Sequence, residues 1–516
     1  MKKYLTKAMC LSMASLMAVS MAGCSGSTDT NATTVATTQA NNNTTAATTV
    51  ATTDGTTAKE LTEGEKLAEQ YNGFVETPMD LGGRTIRVVS SSASKYSLKN
   101  DDQGNPSREA TSNEVLYIVD ALETIKKDYN CDFTFEQLKA KALVEALMTA
   151  KAAGDTYCDI LEFDVSATYL EQIYSNNLCM PLENGQVSDI MGLYTNPWLQ
   201  QTAFGNMFGH QYGVHFTAYN SPDFLRGVLA FNKDLVKKYN VGDIYEMVNN
   251  KTWTFDKFKE ICASITSQAN GEVYPLMYNQ EGIAIPMLVY ANGGTFSENT
   301  ATGYKYTALS DNTLEALNYI VDLAKAGYVH PESENRSTNE TNFGKGESVF
   351  MLTNYTTVKK FKQGTIETEY EYGMVPAPLG PNGDGEYNSV TYTNALFHVV
   401  NGIEKPEQAA AVLVAIANRA SKDEDTIVEH ELMNSLFDEE SGEMVALMMS
   451  NIKCDFSRTV STARGSISSA IKKMLKQNGE TEFTFSQTPK EALEEIEANV
   501  QAAFDSVILQ DGSAAQ

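Results

Sequence analysis

The amino-acid sequence predicts an α/β fold built on a mainly parallel sheet. Short runs of apolar and β-branched residues at 85–89, 131–135 and 159–161 predict three strands. Between them, apolar residues recur at helical spacing over 115–125 and 143–150. This alternation of strands and helices is typical of a parallel sheet with helices on both faces. Ligands of such sheets bind beyond the carboxyl ends of the strands, so we expect a site in the loops after the first and third strands.

Further elements follow along the chain. Residues 228–231 predict a strand, whereas 254–266 and 313–326 predict helices. Gly154 is a natural residue to end the second helix because glycine readily adopts a positive φ. The clearest helix start is Thr488-Pro489-Lys490-Glu491, a capping box with proline at the first helical position.

The first 23 residues predict a cleaved secretion signal. Three lysines within the first seven residues precede an apolar and small-residue run at 8–22, which is too short to span a bilayer comfortably. The run closes with Met21-Ala22-Gly23-Cys24, which resembles a bacterial lipobox. That resemblance implies that Cys24 is acylated, with palmitate among the acyl chains expected, and that it becomes the first mature residue. An ordinary signal peptide with a chance cysteine is the alternative.

Residues 24–75 predict a lipidated cysteine followed by a disordered tether. Up to about Ala58 this segment consists of Thr, Ala, Asn, Ser and Gly with almost no large apolar residue. Such a composition cannot bury enough surface to offset the entropy of folding. A lipid on Cys24 would hold the protein to the outer face of the cell membrane without spanning it.

The charge of the chain argues against two classes of ligand. The formal net charge is −27, and removal of the leader's three lysines makes it −30. An acidic surface is unfavourable for nucleic acid and for anionic membranes. Five cysteines remain after Cys24, an odd number without C-x-x-C spacing, so buried free thiols are favoured over a disulfide scaffold or a zinc cluster.

The sequence offers no constellation for catalysis. It contains no G-x-S-x-G, H-E-x-x-H, Walker A or G-x-G-x-x-G pattern. The S-x-x-K pattern at 92–95 and 469–472 lacks the partner motifs of an acyl-serine enzyme, and the five histidines are not at metal-ligand spacing. We therefore expect no catalytic residues, no metal and no cofactor.

Several passages, in the right order, resemble the extracellular solute-binding proteins of ABC importers, the family that includes maltodextrin-binding proteins. The passages with family counterparts lie at residues 153–160, 178–182, 212–214, 229–235, 252–258, 292–294, 343–348, 375–381 and 406–410. Each passage is weak by itself. Their order over about residues 80–420 carries the resemblance.

The resemblance implies a two-lobe, periplasmic-binding-protein-like fold of the class II type, with a ligand cleft between lobes joined by hinge strands. It implies that residues 76–218 and 345–402 form lobe 1. Residues 219–344 and 403–512 would form lobe 2. The chain would cross between lobes near 216–223, 341–351 and 400–406.

The resemblance also suggests ligand-binding residues. Phe163 occupies the position of a stacking aromatic, and Glu281 aligns with an acid that bonds the ligand. The other expected ligand-binding residues are Asp164, Arg226, Tyr219, Ser91, Tyr392 and Asn394. A packed ring or a surface polar group is the alternative for each. Trp253 is expected in the core, because it opens an amphipathic helix.

The implied function is capture of a carbohydrate for an ABC importer by a lipid-anchored monomer. Its expected partners are the permease subunits. Residues 283–285 replace aromatics of maltodextrin binders, and Asn354-Tyr355-Thr356 stands where the family commonly has a tryptophan. A shorter or differently linked sugar is therefore favoured over a long linear glucan. The alternatives are a surface adhesion or sensory lipoprotein with the same fold, or a non-sugar solute such as a peptide or polyamine.

Overall fold

The structure is a computed structural model. It describes residues 60–71, 75–90, 99–100, 106–107, 113–164, 169–191, 205–207, 209–214, 222, 225–279, 284–300, 303–331, 335–391, 395–420, 432–477 and 482–507. All structural statements refer to these residues. Among them, no helix has both the length and the apolar character needed to cross a membrane.

Strands occur along the whole described chain. They are β1 (Arg84–Ser90), β2 (Lys99–Asn100), β3 (Pro106–Ser107), β4 (Cys131–Gln137), β5 (Ile160–Asp164), β6 (Asn206–Met207), β7 (His210–Gln211), β8 (Gly213–Val214), β9 (Val228–Asn232), β10 (Tyr274–Tyr278), β11 (Ser297–Thr300), β12 (Gly303–Tyr306), β13 (Ser348–Thr353), β14 (Tyr372–Val375), β15 (Ser389–Thr391), β16 (Ala395–Val399), β17 (Ile452–Cys454), β18 (Lys476–Gln477) and β19 (Phe483–Thr484).

The helices surround these strands. They are α1 (Glu63–Tyr71), α2 (Asn113–Asp128), α3 (Ala140–Ala152), α4 (Leu170–Ser175), α5 (Ser188–Met191), α6 (Lys233–Lys238), α7 (Ile244–Asn249), α8 (Phe255–Ala269), α9 (Pro286–Ala291), α10 (Asp311–Lys325), α11 (Arg336–Gly344), α12 (Tyr355–Lys362), α13 (Pro406–Ala420), α14 (Glu439–Ser450), α15 (Ser461–Met474) and α16 (Pro489–Asp505), with a 3-10 turn at Phe456–Arg458.

Two sheets organise the molecule. The first has the order β4-β1-β5-β16-β8, and β1 pairs in parallel with both β4 and β5, as the sequence predicts. The second has the order β10-β13-β9-β14, with β10 and β13 parallel and β9 antiparallel to both of its neighbours. We call the part packed around the first sheet the first lobe and the part packed around the second sheet the second lobe.

Two of the expected crossings between the lobes, near 341–351 and near 400–406, are wrong. Strands β13 and β14 lie within 345–402, yet they pair with β9 of the second sheet instead of joining the first lobe. Helix α13 lies within 403–512, yet it packs against α2 and α5 of the first lobe. The chain therefore enters the first lobe between Thr391 and Ala395, and it leaves after Ala420. The backbone amides and carbonyls of β13 form their hydrogen bonds with β9 and β10, and this pairing decides the boundary between the lobes.

Ordered structure also begins earlier than the predicted end of the tether at residue 75. Helix α1 starts with a capping box: Thr62 Oγ1 accepts from the Glu65 amide, and Glu65 Oε2 accepts from the Thr62 amide. The Tyr71 ring lies under the Arg419 guanidinium, 5.4 Å from ring centroid to Cζ. Buried Arg419 also pairs with buried Glu76 at 3.0 Å. These contacts attach the start of the folded chain to α13.

The core runs through both lobes as one main cluster of buried apolar side chains. Trp253 is fully buried, as predicted, and its indole Nε1 donates to the Pro376 carbonyl at 3.1 Å. Of the five cysteines after Cys24, four are buried and Cys454 is partly buried, and all five are free thiols.

Candidate functional site

The strand ends of the first sheet meet at one edge. Strand β1 ends at Ser90 and the parallel strand β5 ends at Asp164. Antiparallel β16 begins at the same edge, because Ala395 pairs with Asp164. Strand β8 runs antiparallel to β16, so its last residue, Val214, also lies toward this edge, opposite Phe397. Parallel β4 ends at this edge too, because Gln137 pairs with Ser90, so all five strands of the first sheet have a connection on this side.

The second sheet has an equivalent edge. The parallel strands β10 and β13 end there at Tyr278 and Thr353. Antiparallel β9 begins there, because Val228 pairs with Thr353. Arg226 and Gly227 precede this strand and therefore lie at the same edge.

The two edges lie close together. The Arg226 amide donates to the Val390 carbonyl at 2.9 Å, so the second edge contacts β15. Thr391, the last residue of β15, is four residues before Ala395 of the first edge. Successive Cα atoms are 3.8 Å apart, so these two residues are separated by at most about 15 Å. A site between the edges is therefore small enough for one solute to touch both.

Close backbone packing at this junction requires a glycine. Ser389 Oγ donates to the Gly227 carbonyl at 2.7 Å. A Cβ atom on Gly227 would lie 2.7 Å from the Met287 Cβ and 3.3 Å from the Val390 amide nitrogen. Any larger residue would therefore displace Met287 of α9 and would also crowd β15 at Val390.

The first edge carries a buried hydroxyl–carboxylate pair. The Ser90 hydroxyl donates to Glu162 Oε2, and both residues are almost completely buried. They are register partners on the neighbouring strands β1 and β5; Ser90 is the last residue of β1, and Glu162 lies two residues before the end of β5. This pair places an acid and a hydroxyl directly below the loops in which ligand contacts are expected.

The second edge carries a larger polar network centred on Asn279 and Glu340. The Asn279 Nδ2 donates to Glu340 Oε1 at 3.0 Å and to Thr353 Oγ1 at 3.0 Å. Arg336 and Lys360 pair with the Glu340 carboxylate at 2.9 and 2.8 Å. Burial by itself would raise the pKa of Glu340, but the hydrogen bonds from Lys360 and Arg336 outweigh it and hold the pKa below its usual value. Glu340 is therefore ionised at neutral pH and fixes the end of β10.

A third group of polar side chains lies at the junction between the edges. The Asp455 amide donates to the Thr391 carbonyl at 3.1 Å, and Ser457 Oγ donates to Asp455 Oδ1 at 2.5 Å. Burial raises the pKa of Asp455, against the opposing effects of Arg458, Ser457 and Tyr290. Thr391 is 2% exposed, and its hydroxyl oxygen has no hydrogen-bond partner within the part of the chain that the structure describes.

Three of the expected ligand-binding residues belong to the described part of the chain. Asp164 ends β5 and Arg226 precedes β9, so the backbone of both lies at these edges, and their contact with a ligand stays a prediction. Phe163 is only 1% exposed and belongs to the main core, so it does not present its ring to a cleft in this structure. The reason is that β5 is a central strand covered on both faces. The remaining expected residues, Ser91, Tyr219, Glu281, Tyr392, Asn394 and the lipidation site Cys24, lie outside the described residues.

Asp159, the acid of the passage at 154–159 that resembles the family, has a structural role. Asp159, 2% exposed, accepts from Arg84 Nη2 at 2.8 Å and from the Arg87 backbone amide at 2.8 Å. It directly precedes β5 and therefore lies at the amino edge of the first sheet, opposite the candidate site. The motif around Asp159 thus links β5 to β1 at the edge opposite the candidate site.

Sequence reasoning missed several polar groups of the site. Ser90, Glu162, Asn279, Glu340, Thr391 and Asp455 were not among the expected residues. The sequence did contain a signal for two of them. Ser90 directly follows the strand predicted at 85–89, and Asn279 directly follows an apolar run, so both stand at the carboxyl end of a strand. The partners Glu340 and Asp455 carry no local signal, since they reach the site only through tertiary packing.

The arrangement suits recognition of a polar solute. It combines hydroxyl, carboxamide and carboxylate groups that are held by partners in their own lobe, which is the preorganisation that small-molecule sites use. Among the described residues there is no group of three or more His, Cys, Asp or Glu that could hold a metal ion.

Comparison with protein families identifies the chain. Residues 120–428 match the model of the bacterial extracellular solute-binding proteins, which is more than half of the 516 residues. The chain belongs to this family. No curated protein matches the chain. The facing strand edges described above are therefore the candidate binding site of a solute-binding protein, and the family's extracellular character agrees with the predicted secretion signal.

Solved structures confirm the fold of this solute-binding protein. The cyclic α-maltosyl-1,6-maltose binding protein from Arthrobacter globiformis is 15% identical with a TM-score of 0.55, and the match covers 82% of this chain and 100% of that one. The sugar-binding protein MalE from Xanthomonas citri is 14% identical with a TM-score of 0.56, covering 82% of this chain and 98% of that one. The predicted two-lobe periplasmic-binding-protein fold is thereby confirmed.

Proposed function

We propose that this solute-binding protein captures a carbohydrate between its lobes and delivers it to an ABC importer. The observation that carries the proposal is the meeting of two strand edges, one from each lobe, each with buried polar side chains. A carbohydrate presents many hydroxyls that both donate and accept hydrogen bonds, and hydroxyl, carboxamide and carboxylate groups match them. The sugar ligands named for both similar structures support this substrate class.

We assign ligand contact to residues at the two edges. Ser91, Asp164, Tyr392 and Asn394 would approach the ligand from the first lobe, and Tyr219, Arg226 and Glu281 from the second. Ser90 and Glu162 lie below the first group, whereas Asn279 and Glu340 support the second. Phe163 is assigned to the core beneath the site.

We further propose that the protein acts as a monomer outside the cell, held to the outer face of the membrane by acylated Cys24. The leader and the segment that follows it support this location. The partners in this scheme are the permease subunits, and the protein performs no catalysis itself.

A ligand screen tests the proposal directly. The region from residue 60 onward is purified, and its thermal unfolding is followed with neutral mono- and oligosaccharides, and with peptides and polyamines as comparison. A ligand at 100 times its dissociation constant should add about 2.7 kcal/mol to the free energy of unfolding. Stabilisation by at least one sugar is the expected result. Stabilisation by peptides or polyamines alone would contradict the carbohydrate assignment and leave the binding function intact.

A further inference from the structure

The first sheet ends in two strands that each adjoin a crossing between the lobes. The order β4-β1-β5-β16-β8 places β16 and β8 side by side. From β8 the chain continues toward β9 of the second sheet, and it enters β16 from β15 at the junction. Two residue pairs, Phe397 with Val214 and His398 with Gly213, join β16 to β8. The two connections between the lobes therefore start from one short piece of paired sheet.

The ring of His398 links this piece to the rest of the first lobe. His398 is completely buried. Its Nδ1 lies 3.2 Å from the Leu161 carbonyl oxygen of β5, and its Nε2 lies 2.7 Å from the phenol oxygen of Tyr174 in α4. Because a carbonyl oxygen can only accept, Nδ1 carries the proton and donates, and Nε2 accepts from the Tyr174 hydroxyl. The neutral ring thus joins β16 to β5 and to α4.

Strand β8 packs directly against the same ring. A Cβ atom on Gly213 would lie 2.6 Å from His398 Nε2 and 3.0 Å from its Cδ2, so this close approach requires glycine. Tyr212, the residue before it, is buried and stacks on Tyr174 with 4.7 Å between the ring centroids. We call His398, Tyr174, Tyr212 and Gly213 the His398 cluster. It brings together β5, β8, β16 and α4.

Protonation of the ring would disrupt this packing. Burial lowers the pKa of His398 to about 4, although the backbone carbonyls of Leu161 and Leu396 favour the charged form. A protonated ring carries hydrogen on both nitrogens, so Nε2 can no longer accept from Tyr174. Burial raises the pKa of Tyr174, so its hydroxyl keeps its own hydrogen and would have to turn it away from the ring. The charge on the ring would also be buried, which is unfavourable without a counter-charge.

Within the part of the chain that the structure describes, no carboxylate forms an ion pair with the ring. Glu162 of β5 pairs with Phe397, so it lies on the opposite face of the sheet from His398. Asp159 precedes β5 at the amino edge and is already paired with Arg84 and Arg87. The other described ionisable side chains on the segments packed against β16 are Tyr174, Tyr212, Cys179, Glu407 and Arg419.

We propose that the His398 cluster is an acid-sensitive latch between β8 and β16, and that protonation of His398 separates these strands and loosens the two connections between the lobes. The proposal concerns how the lobes are joined, so it does not depend on which solute the protein captures. Because the chain belongs to an extracellular family, the latch would respond to the pH of the surrounding medium.

The sign of the pKa shift fixes the pH range. In the latched state the ring titrates near 4, whereas a ring released into water titrates near its ordinary value of 6.5. The released state therefore binds more protons between these two values. The latch is fully stable above about pH 6.5 and weakens as the pH falls toward about 4.

Hydrogen–deuterium exchange measured by mass spectrometry tests the proposal. The chain from residue 25 onward, which lacks only the predicted leader and Cys24, is labelled at pH 7.0 and at pH 4.0, and the labelling times are corrected for the chemical exchange rate at each pH. Peptides that cover 205–214 and 395–400 report on β8 and β16. Peptides that cover 228–232 and 348–353 report on the second sheet and serve as the internal control.

Two matched variants identify the titrating group. His398→Gln keeps a side chain that can donate and accept but does not titrate. His210→Gln is the control, because His210 is partly buried and touches the edge of the Tyr212 ring, with 6.2 Å between the ring centroids. Tyr174→Phe, which removes only the hydroxyl that donates to Nε2, is the second test of the cluster. Circular dichroism checks that each variant folds.

In the wild type, the peptides of β8 and β16 should exchange at least tenfold faster at pH 4.0 than at pH 7.0, whereas those of the second sheet should change less than threefold. His210→Gln should respond like the wild type, and His398→Gln should lose the response to acid. Tyr174→Phe should exchange faster in β8 and β16 already at pH 7.0, and this result decides if His398→Gln does not fold. An equal response of both sheets, a response that persists in His398→Gln, or wild-type exchange in Tyr174→Phe would overturn the latch and leave the proposed function intact.

Discussion

Phe163 lies in a strand that is covered on both faces. Its neighbours Leu161 and Glu162 are fully buried, and Phe163 itself is 1% exposed. Strand β5 has β1 on one side and β16 on the other, where Phe163 pairs with Leu396. The ring therefore contributes to the stability of the first lobe, directly behind the edge at which a ligand is expected.

Replacement of this ring should mainly affect stability. Phe163→Ala removes a large buried side chain from a packed core, which typically costs about 3–5 kcal/mol. Urea unfolding followed by circular dichroism measures the loss. Phe485→Ala, at a partly buried phenylalanine, is the control and should cost less. A Phe163→Ala protein of near wild-type stability that had lost sugar binding would show instead that the ring stacks on the ligand.

At the scale of single elements, local signals decide where helices begin and end. Thr488 Oγ1 accepts from the Glu491 amide at 3.2 Å, and Glu491 Oε2 accepts from the Thr488 amide at 2.8 Å. Helix α16 therefore begins where the sequence predicts, and it buries Leu493, Val500 and Phe504 along one face. Gly154 follows the end of α3 with a φ of 74°, in the conformation expected of it.

Loss of the capping hydroxyl should weaken the second lobe. Thr488→Ala removes one of the two reciprocal bonds and leaves a first-turn amide without its side-chain acceptor, at a cost of about 1 kcal/mol. Thermal or urea unfolding measures the change. Thr341→Ala replaces an exposed threonine inside α11 and should stay within about 0.5 kcal/mol of the wild type. If both substitutions changed the free energy of unfolding equally, the capping hydrogen bonds would add no stability of their own.

At the scale of the whole molecule, the two sheets form separate layers that share one continuous core and are connected by chain crossings. The connection from Thr391 to Ala395 joins the two edges directly. The folded body is attached at its start through α1 to the first lobe, so a tether would extend from that lobe.

The proposed anchor predicts where the protein is found. Cys24→Ser removes the thiol needed for acylation, so the protein should appear in the medium instead of the membrane fraction and should lose labelling by radioactive palmitate. Cys10→Ser, within the leader, is the matched control and should remain membrane-bound and labelled. Retention of Cys24→Ser in the membrane fraction would contradict the lipid anchor.

The sequence by itself predicted what depends on neighbouring residues. The α/β class, the parallel pairing of β1, β4 and β5, the buried Trp253 and the start of α16 follow from periodicity and capping within a few positions. The order of short motifs added the family and its two-lobe fold. One local signal was missed, since the capping box at Thr62 begins α1 inside the predicted tether.

The tertiary structure decided what depends on distant residues. Ser90 meets Glu162 across 72 positions and Asn279 meets Glu340 across 61, so no local pattern connects them. The lobe boundaries depend on which strands complete the hydrogen bonds of β13 and β14, and the burial of Phe163 depends on β16, which lies more than 200 positions away in the chain. A sequence determines local preference because that depends on one or two turns of chain, whereas a binding site is assembled from strand ends that only the complete packing brings together.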